Sequence, residues 1–411
     1  MIKINKNPLK GFKDYYPEDF FQRKHLFDLF DSVSSSFGYL PYDGPVIENS
    51  ELYEAKSGDS IAYEESYRFN DKSGRSLTLR PEMTPTFARM VAKKSSEFKK
   101  PIRMYSIPVI FRYEKPQKGR SREFFQYNAD IVGVSSVMAE LEIILLSVNI
   151  LEKLGIDKSN FVVRVNDLEF MKSYLNKISK DTEKILKLID RKEKLTTEDF
   201  ENSLLDIVDK GQLNNIYALL DNKDYSKSKP LNDLFSFASS FGINLKYDPT
   251  IVRGFDYYSG IVFEIWDKFG KVKRSLFGGG RYDNLISLFG GEKLPSVGVG
   301  CSDTVLFSVM SEYGINTYYD ISYDYFISTF PDVELNIYAN LATKLRSKGS
   351  SVLMNVNQDW NLSKQLEFAL AQKCVNFIII GKNELKNNTL IAKNLLENSQ
   401  QELSYNKFFD E

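Results

Sequence analysis

Two strand-forming runs, RMYSIPVIFRY (103–113) and EFFQYNADIVGV (123–134), are joined by a short loop and followed by the apolar stretch MAELEIILLSVNILEKLG (138–155). This triplet limits the fold more than any other feature of the chain. The two runs, rich in Tyr, Phe, Ile and Val, read as an antiparallel hairpin. In the stretch after them the longest uncharged run is Ile143 to Leu151. A bilayer span takes ~20 apolar residues. The segment therefore reads as a buried core helix, ended by Gly155. An antiparallel sheet with a helix buried against it is the expected heart of the protein.

The loop in the hairpin is strongly basic. Within FRYEKPQKGRSREFFQYNAD (111–130), Arg112, Lys115, Lys118, Arg120 and Arg122 face Glu114 and Glu123, and Asp130 closes the segment. Lys plus Arg number 54 and Asp plus Glu 55, so overall charge points to no polyanionic partner and the cluster is a local patch. Arginine forks match phosphate or carboxylate oxygens, and a fork rooted on a strand, as at Arg112, is well positioned. The segment suits a nucleoside triphosphate; a solvated basic hairpin is the competing reading of the loop taken alone.

Two cysteines, Cys301 and Cys374, and one histidine, His25, exclude much chemistry. A disulfide framework, a Cys/His zinc cluster and a Ser–His–Asp triad all lack parts. His25, in an amphipathic N-terminal helix, reads as a surface or packing residue. Acid–base or electrostatic work falls to Asp, Glu, Arg, Lys, Tyr or a bound ion. The N-terminal segment has no apolar core of a signal peptide, so a cytoplasmic protein without membrane attachment is expected.

Elsewhere, 18–37 and 84–98 carry helical spacing, the second opened by Thr84 and Pro85. FVVRV (161–165) is a strand, and from about 166 to 245 a Lys-, Asp-, Asn- and Leu-rich texture reads as a helical insertion. Strands return at IVFEIW (261–266) and SVGVGC (296–301), with GGGRYDNL (278–285) expected to start a helix between them. From about 322 the order β-α-β-α-β predicts a small α/β domain with a mostly parallel sheet. The expected domains are thus 1–320, carrying the insertion, and 322–411.

Three further segments carry chemistry. VRGFDYYSGIVFE (252–264) sets Arg253 beside Tyr257 and Tyr258, but a pocket there needs a partner acid that the stretch does not identify. The glycines of GGGRYDNL permit close approach of a ligand ahead of a helix N-terminus, or simply a turn. In LTLRPEMTPTFAR (77–89), Arg80, Glu82 and Thr84 sit where a strand turns into a helix, with Thr84 as a candidate cap.

Together, and in this order, these segments resemble the histidyl-tRNA synthetase family of class II aminoacyl-tRNA synthetases. FRYEKPQKGRSREFFQYNADIVG resembles the second class II motif in its histidyl form, and VRGFDYYSGIVFE the family's histidine signature. GFKDYYPED, PVIE (45–48), LRPEMT and GGGRYDNL also fall in family order, and LSKQLEFA lies in a segment similar to the anticodon-binding domain. The resemblance implies an α+β class II antiparallel sheet with flanking helices and a helical insertion, followed by a C-terminal α/β anticodon-binding domain. It implies a histidine–tRNA ligase using ATP and Mg²⁺, acting on L-histidine and tRNA(His), and a homodimer built through PVIE. Arg112 would grip the α-phosphate, Arg120 the outer phosphates, with Glu114 also at the ATP. Glu82 and Gln126 would take the substrate amino group. Asp130 and Tyr258 would read the imidazole, Thr84, Tyr257 and Tyr282 would line its pocket, and Arg253 would sit between the substrate carboxylate and the α-phosphate. No metal ligands are assigned.

One position departs from the pattern. Within LPSVGVGCSDTVLFSVM (294–310), Val305 stands where the third class II motif places an arginine against adenine and the γ-phosphate, with Asp303 and Thr304 beside it. Its loss corresponds to ~1–3 kcal/mol of ATP binding or catalysis unless another residue compensates. The departure keeps open a catalytically silent paralogue, such as the regulatory subunit of ATP phosphoribosyltransferase, or a tRNA-binding module without chemistry.

Overall fold

In a computed structural model of the protein, Pro17 opens helix α1 (Pro17–Ser36), where its fixed φ suits the first turn. The structure describes residues 5–54, 60–117, 119–192, 195–253, 256–315, 321–357, 359–406 and 408. They form two compact units, Met1–Thr317 and Tyr318–Glu411.

Leu26, Phe30 and Val33 give α1 one buried stripe, and Phe30 stacks on Tyr127 at 4.6 Å. Strand β1 (Leu40–Pro41) follows. A small antiparallel sheet comes next, from β2 (Ile47–Asn49), then helix α2 (Glu51–Glu54), β3 (Tyr67–Asn70) and β4 (Ser76–Leu79), in the order β2-β4-β3. Helix α3 (Thr84–Lys94) leads to β5 (Ile102–Ser106), β6 (Val109–Phe111) and β7 (Glu123–Val132). The hairpin pairs antiparallel, as expected. Its first arm is interrupted only at Ile107–Pro108, because proline has no N–H to give the ladder. The register is the same on both sides, Ser106↔Asn128 and Val109↔Phe125.

Helix α4 (Met138–Lys153) is buried along nearly its whole length, as its apolar sequence requires. After β8 (Phe161–Asp167) the chain leaves the sheet as α5 (Leu168–Ile178), α6 (Thr182–Arg191), α7 (Thr197–Leu205) and α8 (Lys210–Asp221). These four helices bury their own cluster around Met171, Leu175, Ile185, Phe200, Leu204 and Ile216. Helix α9 (Lys229–Ser240) and β9 (Leu245–Tyr247) rejoin the main core instead, through Leu231, Leu234, Ala238 and Tyr247. Exit and return are stapled together: Asp167 caps α5 with one carboxylate oxygen and accepts from Ser228 Oγ at 2.7 Å with the other.

Strands β10 (Ile261–Asp267), β11 (Ser275–Arg281) and β12 (Ser296–Ser302) complete the sheet, with short α10 (Leu285–Leu288) between the last two and α11 (Asp303–Tyr313) after them. The order is β1-β5-β7-β12-β11-β10-β8-β9, with β6 also on β7. Only β1–β5 and β8–β9 pair parallel, so this is an antiparallel sheet flanked by helices. GGGRYDNL does lead into a helix, the short α10 that starts at Leu285, but its glycine run is not the turn before it. That run lies inside β11, at the centre of the sheet. Arg281, which ends that strand, makes a bidentate pair with Glu140 of α4 at 2.6 and 2.7 Å, both residues buried.

The second unit comprises β13 (Tyr323–Ile327), α12 (Leu335–Ser347), β14 (Val352–Met354), α13 (Leu362–Ala371), β15 (Cys374–Ile379), α14 (Lys382–Lys386), β16 (Thr389–Asn394) and β17 (Ser399–Ser404). Its first three strands are parallel, as the β-α-β-α-β pattern requires. A terminal antiparallel hairpin, β16–β17, extends the sheet, so it is mixed rather than mostly parallel. Asn398, in the left-handed region at φ 50, marks that hairpin's turn. Cys301 and Cys374 are both free and buried, and His25 is exposed on α1.

Candidate active site

A cavity of about 910 Å³ opens within the first unit, and Arg112, Glu114, Arg120, Gln126, Arg253 and Tyr258 all line it. Its floor follows from strand alternation. Gln126 and Asp130 lie four residues apart on β7 and so share a face. Glycines on β11 and β12 sit directly across from the site residues. A Cβ on Gly278 would fall 2.1 Å from Arg253 Nη1, and one on Gly298 2.0 Å from Asp130 Oδ1. A Cβ on Gly300 would lie 3.2 Å from Gln126 Nε2. Three candidate site side chains therefore occupy space that only glycine leaves open.

Asp130, Glu82, Tyr257 and Tyr282 lie deep and buried. Tyr282 donates its hydroxyl to Asp130 Oδ1 at 2.5 Å, and Tyr257 donates to Glu82 Oε2 at 3.0 Å. The rings of Tyr257 and Tyr258 are 4.8 Å apart, those of Tyr257 and Tyr282 5.9 Å. Burial pushes the Asp130 carboxyl up to about 7, against the opposing effect of the Tyr282 hydrogen bond. Such a carboxyl gains by meeting a hydrogen-bond donor or a cation. Thr84 is not a helix cap: it is the first residue of α3, with Met83 at the cap position, and its hydroxyl meets Tyr257.

Arg253 has φ 71, the left-handed region that side-chain-bearing residues rarely adopt. Such strain gathers at functional sites. Its Nη1 donates to Glu264 Oε1 at 2.6 Å, and Trp266 Nε1 holds the other carboxylate oxygen at 2.8 Å. The partner acid that the sequence left unidentified is thus the last residue of VRGFDYYSGIVFE. Glu264 on β10 comes opposite Gly278 of β11, which is why the pair forms there. Burial alone would lower the guanidinium pKa, but Tyr258 and Glu264 outweigh it and hold it raised. Gly254 and Phe255 lie outside the described residues.

The basic loop divides into distinct jobs. Arg112 donates Nε to Pro81 O at 2.8 Å and stands over the Phe124 ring at 5.4 Å. The LRPEMT turn thereby aims it, while Arg80 beside it is buried as a strut to Asp43, Gly44 O and Val109 O. Burial pushes Arg112 down, with Glu82 and Glu65 opposing. Arg120 pairs with buried Glu114. Arg122 faces away from the cavity: it stacks on Tyr113 at 4.1 Å, donates to Glu114 O at 3.1 Å, and its backbone N–H donates to Gly11 O at 2.8 Å. Lys115 is exposed, and Lys118 lies outside the described residues.

At the third-motif position Val305 is buried in the cavity wall. Its neighbours are structural. Asp303 accepts from Phe125 N at 3.2 Å, burial pushing its carboxyl up to about 7, and Thr304 Oγ1 bonds Ser302 Oγ at 2.7 Å and Gly119 O at 3.3 Å. Two residues that the sequence left unassigned also belong to the wall: Phe124, visible as the aromatic after Glu123 on the clamp strand, and Arg274, which carried no distinguishing signal.

A family model described as histidyl-tRNA synthetase matches residues 11–302. A histidine–tRNA ligase of Leptospira biflexa is 35% identical, over 98% of this chain and 97% of its own length. That of Thermoplasma volcanium is 34% identical, over 96% and 95%. The apo S. aureus histidyl-tRNA synthetase superposes with a TM-score of 0.73 at 22% identity, covering 100% of this chain and 99% of that one.

Proposed function

The chain belongs to the histidyl-tRNA synthetase family, and we propose that its site activates L-histidine with ATP and transfers the histidyl group to tRNA(His). The observation that carries the reading is the buried Asp130–Tyr282 pair at the end of the same strand face that holds Gln126, with Arg253 and Arg112 at the cavity. Free histidine presents an imidazole, an ammonium and a carboxylate. Asp130 accepts from the imidazole, with Tyr258 at its other edge. Glu82 and Gln126 take the ammonium, and Thr84, Tyr257 and Tyr282 line the walls. A site of buried hydrogen-bonding groups rejects analogues lacking the partner atoms by up to roughly 10⁴-fold or more.

In this reading the histidine carboxylate attacks the α-phosphorus of ATP, an O–P bond forms, and pyrophosphate leaves. Negative charge gathers on the α-phosphoryl oxygens and the leaving group. Arg112 and Arg253, already fixed by Pro81 O and Glu264, stabilise it without reorganising. Arg120, held by Glu114, faces the outer phosphates. No covalent enzyme intermediate is needed, which suits a chain with one exposed histidine. The 3′-terminal ribose of the tRNA then displaces AMP from the adenylate.

No cluster of three or more His, Cys, Asp or Glu suited to a metal is found among the described residues, yet Glu65 and Glu114 line the cavity beside the arginines. That donor set suits an Mg²⁺ that arrives with the triphosphate and keeps most of its ligands from phosphate and water. When bound it neutralises phosphate charge. A homodimer through the PVIE region is consistent with Val46, Ile47 and Phe69, apolar and 38–45% exposed on and beside the small sheet. The second unit is read as the anticodon binder and the cytoplasm as the compartment; among the described residues no helix is long and apolar enough to cross a membrane.

Histidine-dependent ATP–pyrophosphate exchange, followed by charging of tRNA(His), tests the proposal. Absence of exchange at saturating ATP, Mg²⁺ and histidine would overturn it. Val305 favours one second reading, a catalytically silent paralogue, for which no exchange accompanies co-purification with a phosphoribosyltransferase.

A further inference from the structure

Val305 leaves a corner of the cavity where the family pattern places a cation, and the same corner is reached from another element. Arg274 immediately precedes β11 and is half-buried in the cavity wall. Its Cδ lies 3.8 Å from the position a Cβ on Gly119 would take, and Ser308 Oγ and Thr304 O border the same point at 3.4 and 3.9 Å. It therefore stands between the clamp loop and the first turn of α11, the turn that carries Val305.

Its electrostatic setting is unusual. Among the described residues no carboxylate or carbonyl hydrogen-bonds or pairs with Arg274, whereas the three arginines assigned to the substrates are anchored: Arg112 on Pro81 O, Arg120 on Glu114 and Arg253 on Glu264. The neighbouring charge it faces is Arg120, and the two repel. Burial pushes the Arg274 guanidinium down with nothing opposing it. A partly desolvated arginine held beside a like charge without a counter-ion costs free energy in the empty protein. A polyanion placed between the two relieves the repulsion and supplies both with oxygen acceptors.

We propose that Arg274 is the ligand for the outer phosphates of ATP, supplying from the start of β11 the phosphate contact that the third-motif arginine supplies elsewhere in the family. This rests on the ATP-dependent reading of the site. It assigns the adenine-facing and phosphate-facing work of the missing arginine to different places: Val305 leaves an apolar wall, and Arg274 supplies the charge.

The test is calorimetric titration of the full-length protein with Mg²⁺–ATP and, separately, with AMP, for the wild type and Arg274→Ala. A contact to outer phosphates, being a charge-assisted hydrogen bond, predicts weaker ATP binding by about 10- to 100-fold with AMP affinity unchanged. Equal weakening of ATP and AMP would mean that Arg274 merely shapes the cavity, and unchanged ATP affinity would mean that it touches no phosphate; either overturns the proposal. Should the alanine variant fail to fold, Arg274→Gln keeps the stem and the same comparison decides. Pyrophosphate exchange by the wild type is measured alongside. Its absence counts against the ligase reading, while the ATP-versus-AMP difference still decides the role of Arg274.

Discussion

Gly278→Ala separates the strand from the chemistry it carries. Its Cβ would meet Arg253 Nη1 at 2.1 Å, Cζ at 2.6 Å and Nη2 at 2.8 Å, all at the far end of a flexible side chain. Ordinary contact begins near 3.4 Å, so the guanidinium must retreat by the difference from 2.1 Å, about 1.3 Å. That shift breaks the 2.6 Å bond to Glu264, a charge-assisted contact. A displacement of ~1 Å in a positioning group costs about 10²-fold in rate. Gly278 has an ordinary β conformation, so alanine adds no backbone strain and the fold should survive. The expected outcome is pyrophosphate exchange lowered about 100-fold in kcat, with a thermal midpoint within a few degrees of wild type. Gly279→Ala is the contrast. Its Cβ would sit 2.1 Å from the backbone oxygen of Gly298, which cannot swing aside, so that variant should lose stability first. Exchange by Gly278→Ala within threefold of wild type would refute the assignment of Arg253 to the reacting centre.

Arg112→Ala should abolish exchange while Lys115→Ala, at an exposed loop position, changes it less than about twofold; near-normal exchange by the first would remove the clamp reading. Arg281→Met leaves Glu140 buried without its partner and should lower unfolding free energy by about 3–5 kcal/mol in denaturant titration, the double variant with Glu140→Leu recovering most of it. Asp130 titrates near 7 when folded and near 3.8 unfolded, so between those values the folded state holds the extra proton and stability falls as pH rises. Asp130→Asn removes that slope: its stability relative to wild type should climb from pH 4 to about pH 7 and then level, and a flat difference would contradict the buried-carboxyl assignment.

The sequence by itself determined the parts whose physics is local. The stripe Leu26, Phe30 and Val33 made α1, the apolar run after Met138 made α4, and the aromatic and β-branched residues on either side of a basic loop made the β5–β7 hairpin. The ordered motifs likewise marked Arg112, Asp130, Arg253 and the tyrosines before any packing was known. What only the tertiary structure decided depends on neighbours far apart in the chain. Three glycines read locally as a turn or a helix start. They became a strand because β10 and β12 supply ladder partners on both sides, and a Cβ there would run into Arg253 at Gly278, the backbone oxygen of Gly298 at Gly279 and that of Ile261 at Gly280. Glu264 became the partner of Arg253 through cross-strand register, and Thr84 met Tyr257 instead of capping its own helix. Arg274 carried no motif at all. Its meaning lies in what surrounds it, a like charge, an apolar wall at Val305 and no acid among the described residues, and such a balance exists only once the chain has folded.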